Sequence, residues 1–117
     1  MKTKKYCIVI EIKEEYIDDY VNIHKNAWAE LLQAEKTCGI KEELIWIYKN
    51  LSILFIECDD IDQVFKAIES NEIEKKWDIT VRPWFKNSQV LDASENIKTL
   101  EKIFDLNQQL NGNLEPY

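Results

Sequence analysis

Residues 14–37, EEYIDDYVNIHKNAWAELLQAEKT, decide how this chain is read. The stretch is free of glycine and proline and rich in good helix formers, which predicts one long first helix. Tyr20, His24 and Trp28 recur at four-residue intervals and so share one helical face. Ile17, Val21, Ala27 and Leu31 complete an apolar stripe on that face, which must pack against the rest of the fold. His24 is the sole histidine of the chain. An imidazole between aromatics on such a stripe is either a hydrogen-bonded core residue or the wall of a ligand pocket.

Outward from this helix the pattern is that of an α+β fold. Lys4–Lys13 alternates Tyr6, Ile8, Ile10 and Ile12 against Cys7, Val9 and Glu11, a first strand with one apolar face. Its lysines and short apolar run resemble a secretion signal superficially, but the alternation and Glu11 favour a strand. Gly39 is placed to end the helix. Glu43–Tyr48 and Leu51–Cys58 are strand runs separated by Lys49-Asn50, the natural joint of a tight hairpin. Asp60 with Gln63, and Asn71 with Glu74, have the spacing of capping boxes, opening one helix through Ser70 and a second that gives way before Pro83. The apolar residues of the second are Ile73, Trp77 and Val81. Leu100–Leu106 alternates and predicts a last strand, and residues 107–117 read as a polar tail.

The resulting order, β-α-β-β-α-α-β, predicts a ferredoxin-like sandwich: one antiparallel sheet with helices on one face. Residues 1–117 form one domain on this reading, with a core over about 4–106. The second face of so small a sheet still carries apolar side chains and needs a cover, which a dimeric α/β barrel would supply.

Composition narrows the function. A formal charge of −7 and the lack of a basic stripe exclude nucleic acid. No apolar run approaches the roughly 20 residues that span a bilayer, so a cytoplasmic location is the default expectation. Cys7, Cys38 and Cys58 are odd in number and lack a C-x-x-C spacing, against both a disulfide framework and a zinc site. Neither Gly39 nor Gly112 has a glycine neighbour to build a phosphate loop.

Tyr20, His24, Trp28, Glu30 and Leu31 spell Y-x-x-x-H-x-x-x-W-x-E-L. With the glycine after helix one, the L-F of the hairpin's second strand, the late K-W and the closing LEKIFDL, the chain resembles the L-rhamnose mutarotase family from Lys4 to about Leu106. The resemblance implies a dimeric α+β barrel that interconverts the anomers of a deoxy-hexose. It also implies that His24 is the proton-donating histidine, Tyr20 a sugar-contacting tyrosine and Trp77 the first of two tryptophans lining the sugar. Glu43 stands where the family has a tyrosine, and Asp78 where it has the second tryptophan.

The chemistry suits so sparse a set of residues. Anomer exchange opens a cyclic hemiacetal, turns the aldehyde and recloses it, which requires proton transfers but no cofactor, metal or covalent intermediate. An imidazole with an ordinary pKa of about 6.5 serves near neutral pH, and general acid–base assistance is worth roughly 10²–10⁴-fold. By strand parity Glu43 shares the face of Ile45 and Ile47, toward the helices, as a second acid–base partner, a hydroxyl acceptor or an exposed strand-end residue. Asp78 is open between a sugar hydroxyl and water, and Trp28 and Trp46 are assigned to packing. The leading expectation is thus a cofactor-independent mutarotase acting on a monosaccharide as a homodimer. A non-catalytic sugar-binding or assembly module on the same scaffold is the alternative, and a small haem oxygenase of the wider dimeric-barrel type is a third.

Overall fold

A computed structural model describes residues 3–86 and 97–112. Four strands form an antiparallel sheet in the order β2-β3-β1-β4, with β1 at Lys4–Glu11, β2 at Glu42–Tyr48, β3 at Leu51–Cys58 and β4 at Ile97–Thr99. The register pairs Ile8 with Leu54 and Ile10 with Ser52 across β1 and β3, and Glu43 with Ile56 and Ile45 with Leu54 across β2 and β3. Because side chains alternate across a strand, Ile8, Ile10, Leu54, Ile56, Ile45 and Glu43 all project from one face. The helices pack on that face, and the core gathers Ile8, Ile10, Ile12, Tyr20, Ile40, Ile56, Cys58 and Val64 there. The opposite face carries Leu44, Trp46 and Tyr48, exposed at 45%, 56% and 60%. Trp46, assigned to packing from the sequence, therefore packs on little within this chain.

The expected long first helix is broken. Its N-terminal part is a 3-10 turn at Glu14–Tyr16, followed by α1 at Ile17–Lys25 and α2 at Ala29–Thr37. Asn26 ends α1, with its backbone N–H and its side-chain amide both donating to the Asn22 carbonyl at 3.2 and 3.1 Å. A side chain that competes for the carbonyl four residues back is an alternative to continuing the helix. Trp28 then becomes the N-cap of α2, with extended backbone at φ −61°, ψ 135°. It does not continue the Tyr20–His24 stack on one helix.

Gly39 closes α2 with φ +105°. Its N–H donates to Lys36 O at 3.0 Å and that of Ile40 to Glu35 O at 3.1 Å, the paired bonds of a left-handed C-terminal cap. Lys49 carries the positive φ of the β2–β3 hairpin, at 55°. α3 at Ile61–Ser70 and α4 at Glu72–Val81 start where the sequence placed them. Asp60 accepts from the backbone N–H of Asp62 and Gln63, and Asn71 from those of Ile73 and Glu74. Arg82–Trp84 is a 3-10 turn, as a helix meeting Pro83 requires.

The last strand also departs from expectation. β4 lies at Ile97–Thr99, while residues 100–105 form no strand and α5 winds over Leu106–Leu110. β4 pairs with the middle of β1, and Phe85 bridges Ile12 near its end. Asp105 caps α5 by accepting from Gln108 N–H at 2.9 Å, which takes the 100–106 alternation out of the sheet. Of the polar tail, residues 107–112 are described and 113–117 lie outside the described residues.

Candidate functional site

Tyr20, His24, Glu43, Trp77 and Asp78, the site residues expected from the sequence, all line one open cavity of about 920 Å³ between the helices and the sheet. α1 supplies the first two, β2 the third, and α4 the last two. Tyr20 is buried at 3% exposure, and its hydroxyl lies 2.7 Å from Ser52 Oγ, itself fully buried on β3. That bond fixes the ring against the sheet. Burial pushes the phenol up to about 12, against the Ser52 hydrogen bond, with nearby Glu43 adding to the rise.

His24 follows one turn later. Its ring centroid is 4.1 Å from that of Tyr20 and 5.1 Å from that of Trp77, the latter edge-on at 84°. Nδ1 lies 2.7 Å from the Tyr20 carbonyl oxygen. A carbonyl only accepts, so Nδ1 carries the proton and the neutral ring presents its lone pair at Nε2. No hydrogen bond to Nε2 occurs among the described residues. Burial lowers the imidazole's pKa below 6.5, with the bond to the Tyr20 carbonyl opposing it. Near neutral pH the ring is therefore a neutral base at the cavity wall, its Nε2 without a hydrogen bond among the described residues.

Trp77 is wedged between His24 and Trp28, whose ring meets it edge-on at 5.1 Å and 86°. The break after α1 makes this possible, because Trp28 reaches Trp77 from the start of α2 rather than stacking above His24. Asp78, half-exposed at the cavity wall, also pairs with a cation: both its carboxylate oxygens accept from Arg82 Nε, at 3.0 and 2.9 Å. Arg82 Nη2 lies 2.8 Å from the first of them.

Glu43 is half-buried on the helix-facing side of β2. It is not alone. Glu35 on α2 also lines the cavity, and Glu74 on α4 is buried at 5% exposure. Burial, then the charges of Glu43 and Glu74 and a hydrogen bond to Glu74, push the Glu35 carboxyl up to about 9. Burial and Glu74 push Glu43 up to about 7. Glu74 is raised by burial, against the hydrogen bond with Glu35. Glu74 Oε1 is buried without a hydrogen-bond partner.

Sequence reasoning missed Glu35 and Glu74. Glu35 follows the buried Leu31 by one turn, and its neighbour Ala34 is buried too. Glu74 looks like the closing residue of a capping box, yet it lies one turn before Asp78 and two before the buried Val81. A charged residue at a core-facing helical position was the available signal in both cases. Among the described residues no group of three or more His, Cys, Asp or Glu is arranged to hold a metal ion. Cys7, Cys38 and Cys58 are free.

The family model for L-rhamnose mutarotase matches residues 5–106. The chain belongs to the L-rhamnose mutarotase family. Among solved structures, an L-rhamnose mutarotase from Formosa agariphila superposes with a TM-score of 0.67 at 23% identity, covering 87% of this chain and 97% of its own. Tetracenomycin F2 cyclase from Streptomyces glaucescens, a type-II polyketide cyclase, gives 0.57 at 12% identity over 87% and 95%. A dimeric ferredoxin-like protein from an uncultured marine organism gives 0.53 at 9% over 90% and 94%. These likenesses establish the ferredoxin-like α+β fold. No curated protein sequence matches the chain.

Proposed function

We propose that this chain is a cofactor-independent mutarotase that interconverts the α and β anomers of L-rhamnose or a related 6-deoxy-hexose. The observation that carries the proposal is the His24 imidazole at the cavity wall, held at Nδ1 by the Tyr20 carbonyl and with no hydrogen bond at Nε2 among the described residues. In ring opening Nε2 takes the proton of the anomeric hydroxyl. The C1=O bond forms as the bond from C1 to the ring oxygen breaks, and the ring oxygen receives a proton. Both oxygens sit on the same carbon, so one imidazole nitrogen reaches each in turn. Rotation about the C1–C2 bond and the reverse steps give the other anomer. The reaction balances without oxidant, reductant or external nucleophile.

Trp77 supplies an apolar ring face beside the reacting carbon, and Tyr20 orients His24 through their packed rings. Glu43 accepts from or donates to sugar hydroxyls, and the Asp78–Arg82 pair offers a polar edge at the cavity wall. A homodimer joined through the outer face of the sheet fits the exposure of Leu44, Trp46 and Tyr48. No helix among the described residues is long and apolar enough to cross a membrane, and a cytoplasmic enzyme is the reading in keeping with that.

Saturation-transfer NMR of the anomeric protons tests the proposal. Purified protein is expected to accelerate exchange for L-rhamnose or a neighbouring 6-deoxy sugar, and His24→Ala to abolish the acceleration. Unaccelerated exchange across the whole series overturns it. Glu43 in an acidic wall, and Asp78 tied to Arg82, favour a second reading, a sugar-binding module without catalysis. Saturable binding without faster exchange is its signature.

A further inference from the structure

On its helix-facing side β3 presents Ser52, Leu54, Ile56 and Cys58 in succession. Ser52 is the polar exception. It is fully buried, paired with Ile10 of β1 on one side and Ile47 of β2 on the other. A hydroxyl buried among hydrocarbon is costly unless it is hydrogen-bonded. Among the described residues this one has a single partner, the Tyr20 hydroxyl at 2.7 Å. The bond spans 32 residues of sequence and joins the sheet to α1.

Seen from α1 the bond is just as singular. Of the nine residues of this helix Tyr20 alone is buried, and its N-cap makes no side-chain hydrogen bond. No other hydrogen bond ties α1 to the sheet among the described residues. Apolar contact is non-directional and lets a helix roll, whereas a hydroxyl pair at 2.7 Å fixes both distance and direction. The bond therefore sets how α1 is rolled about its axis, and His24 stands one turn further along it. Tyr20 then holds the imidazole twice, through its carbonyl 2.7 Å from Nδ1 and through its ring at 4.1 Å. On the other side the imidazole meets Trp77, which is backed by the edge of Trp28 with no directional bond.

We infer that Ser52 is a positioning residue for anomer exchange: through the Tyr20 hydroxyl it fixes the roll of α1 and so the place of the His24 imidazole in the cavity. The inference rests on the mutarotase reading for the reaction and adds a residue that never meets the sugar, since Ser52 does not line the cavity. A misplacement of about 1 Å at the reacting atoms can cost on the order of 10²-fold in rate. Trp77, Glu43 and Asp78, which wall the sugar site, stand on α4 and β2 and do not move with α1. Loss of the bond should therefore appear in kcat and leave KM nearly unchanged.

The test reads anomer exchange over a range of L-rhamnose concentrations, giving kcat and KM, and follows His24, the sole histidine of the chain, by nitrogen-15 NMR. Ser52→Ala should lower kcat roughly 10–100-fold with KM within about twofold of wild type. Its imidazole should titrate closer to 6.5, because a loosened Tyr20 ring relieves the burial that lowers it. Ser52→Thr keeps the hydroxyl and should recover most of the rate. Since Ser52→Ala also loosens the fold, it is repeated with Tyr20→Phe, which removes the stranded partner hydroxyl. In that background Ser52→Ala should change kcat less than about twofold, the mark of two residues acting as one unit. An equal loss in both backgrounds, a rise in KM at unchanged kcat, or a rate and a His24 titration untouched by Ser52→Ala each overturns the inference and spares the mutarotase. Wild-type protein that accelerates exchange of no 6-deoxy sugar sinks the mutarotase reading, and the His24 titration then decides alone whether Ser52 holds the imidazole.

Discussion

Replacing Glu35 by glutamine should stabilise the protein, and more so as the pH rises. In the folded chain the Glu35 carboxyl is pushed from 4.5 up to about 9 by burial, by the charges of Glu43 and Glu74, and by a hydrogen bond with Glu74. Glu43 is pushed up to about 7. A group whose folded pKa lies above its unfolded value binds more protons folded than unfolded between the two, so stability falls as pH rises through that window. For Glu43 the window runs from 4.5 to about 7, and for Glu35 from 4.5 to about 9. At pH 8 the unfolded chain has released the Glu35 proton and the folded chain still holds it. At 1.36 kcal/mol per pKa unit the ceiling is about 5 kcal/mol. The three carboxylates share one another's penalty, which brings the contribution of Glu35 alone to ~2 kcal/mol. Glutamine retains a donor for Glu74 and cannot ionise. Urea melts at pH 5, 6.5 and 8 are the assay. Wild-type stability should decline across the series, and Glu35→Gln should gain ~2 kcal/mol at pH 8 and little at pH 5. A variant no more stable than wild type at pH 8, with a wild-type profile flat or rising, would refute the buried acidic wall.

Further outcomes follow from the same contacts. His24→Ala should cost 10²–10⁴ in catalysed anomer exchange, about 3–5 kcal/mol of barrier. The acid limb of the wild-type rate–pH profile should have its midpoint below 6.5, because burial holds the imidazole below its ordinary value. Ser52→Ala leaves the buried Tyr20 hydroxyl without its 2.7 Å partner and should lower stability by about 1–3 kcal/mol, readable by urea denaturation. Trp46→Glu, on the exposed outer face of the sheet, should shift the sedimentation coefficient from dimer to monomer at micromolar concentration while leaving the circular dichroism spectrum intact.

The sequence disclosed what short-range rules govern. Alternation located β1, β2 and β3, Asp60 and Asn71 marked two helix starts, and Gly39 marked a helix end. It failed where tertiary contacts outvoted local preference. Nothing between Glu14 and Thr37 is a strong breaker, yet the helix parts at Asn26, because the asparagine amide takes the Asn22 carbonyl and Trp28 turns to meet Trp77. The 100–106 alternation had strand period, yet only Leu100 N–H reaches β1, at Cys7 O, and the Asp105 cap withdrew the end of the run into α5. Tyr20, His24 and Trp77 were legible as candidates through spacing and resemblance. The acidic wall was not, since Glu35 and Glu74 are ordinary surface residues until α2 and α4 are packed together.

That packing couples the two halves of the cavity. His24 is kept neutral by burial, and an ionised carboxylate nearby would work against this by favouring the imidazolium. Glu43 and Glu35 hold their protons instead, at about 7 and about 9, so the empty site can keep a neutral base beside an acidic wall. Deprotonating that wall without a compensating cation would draw the imidazole toward its charged form and remove the lone pair needed for ring opening. The rate–pH profile tests that coupling. Glu43→Gln should leave the acid limb of the profile in place for a neutral sugar, because Glu43, pushed up to about 7, is already largely protonated there and His24 is governed by burial and the Tyr20 carbonyl. A limb displaced in either direction would mean that Glu43 bears on the imidazole in its charged form.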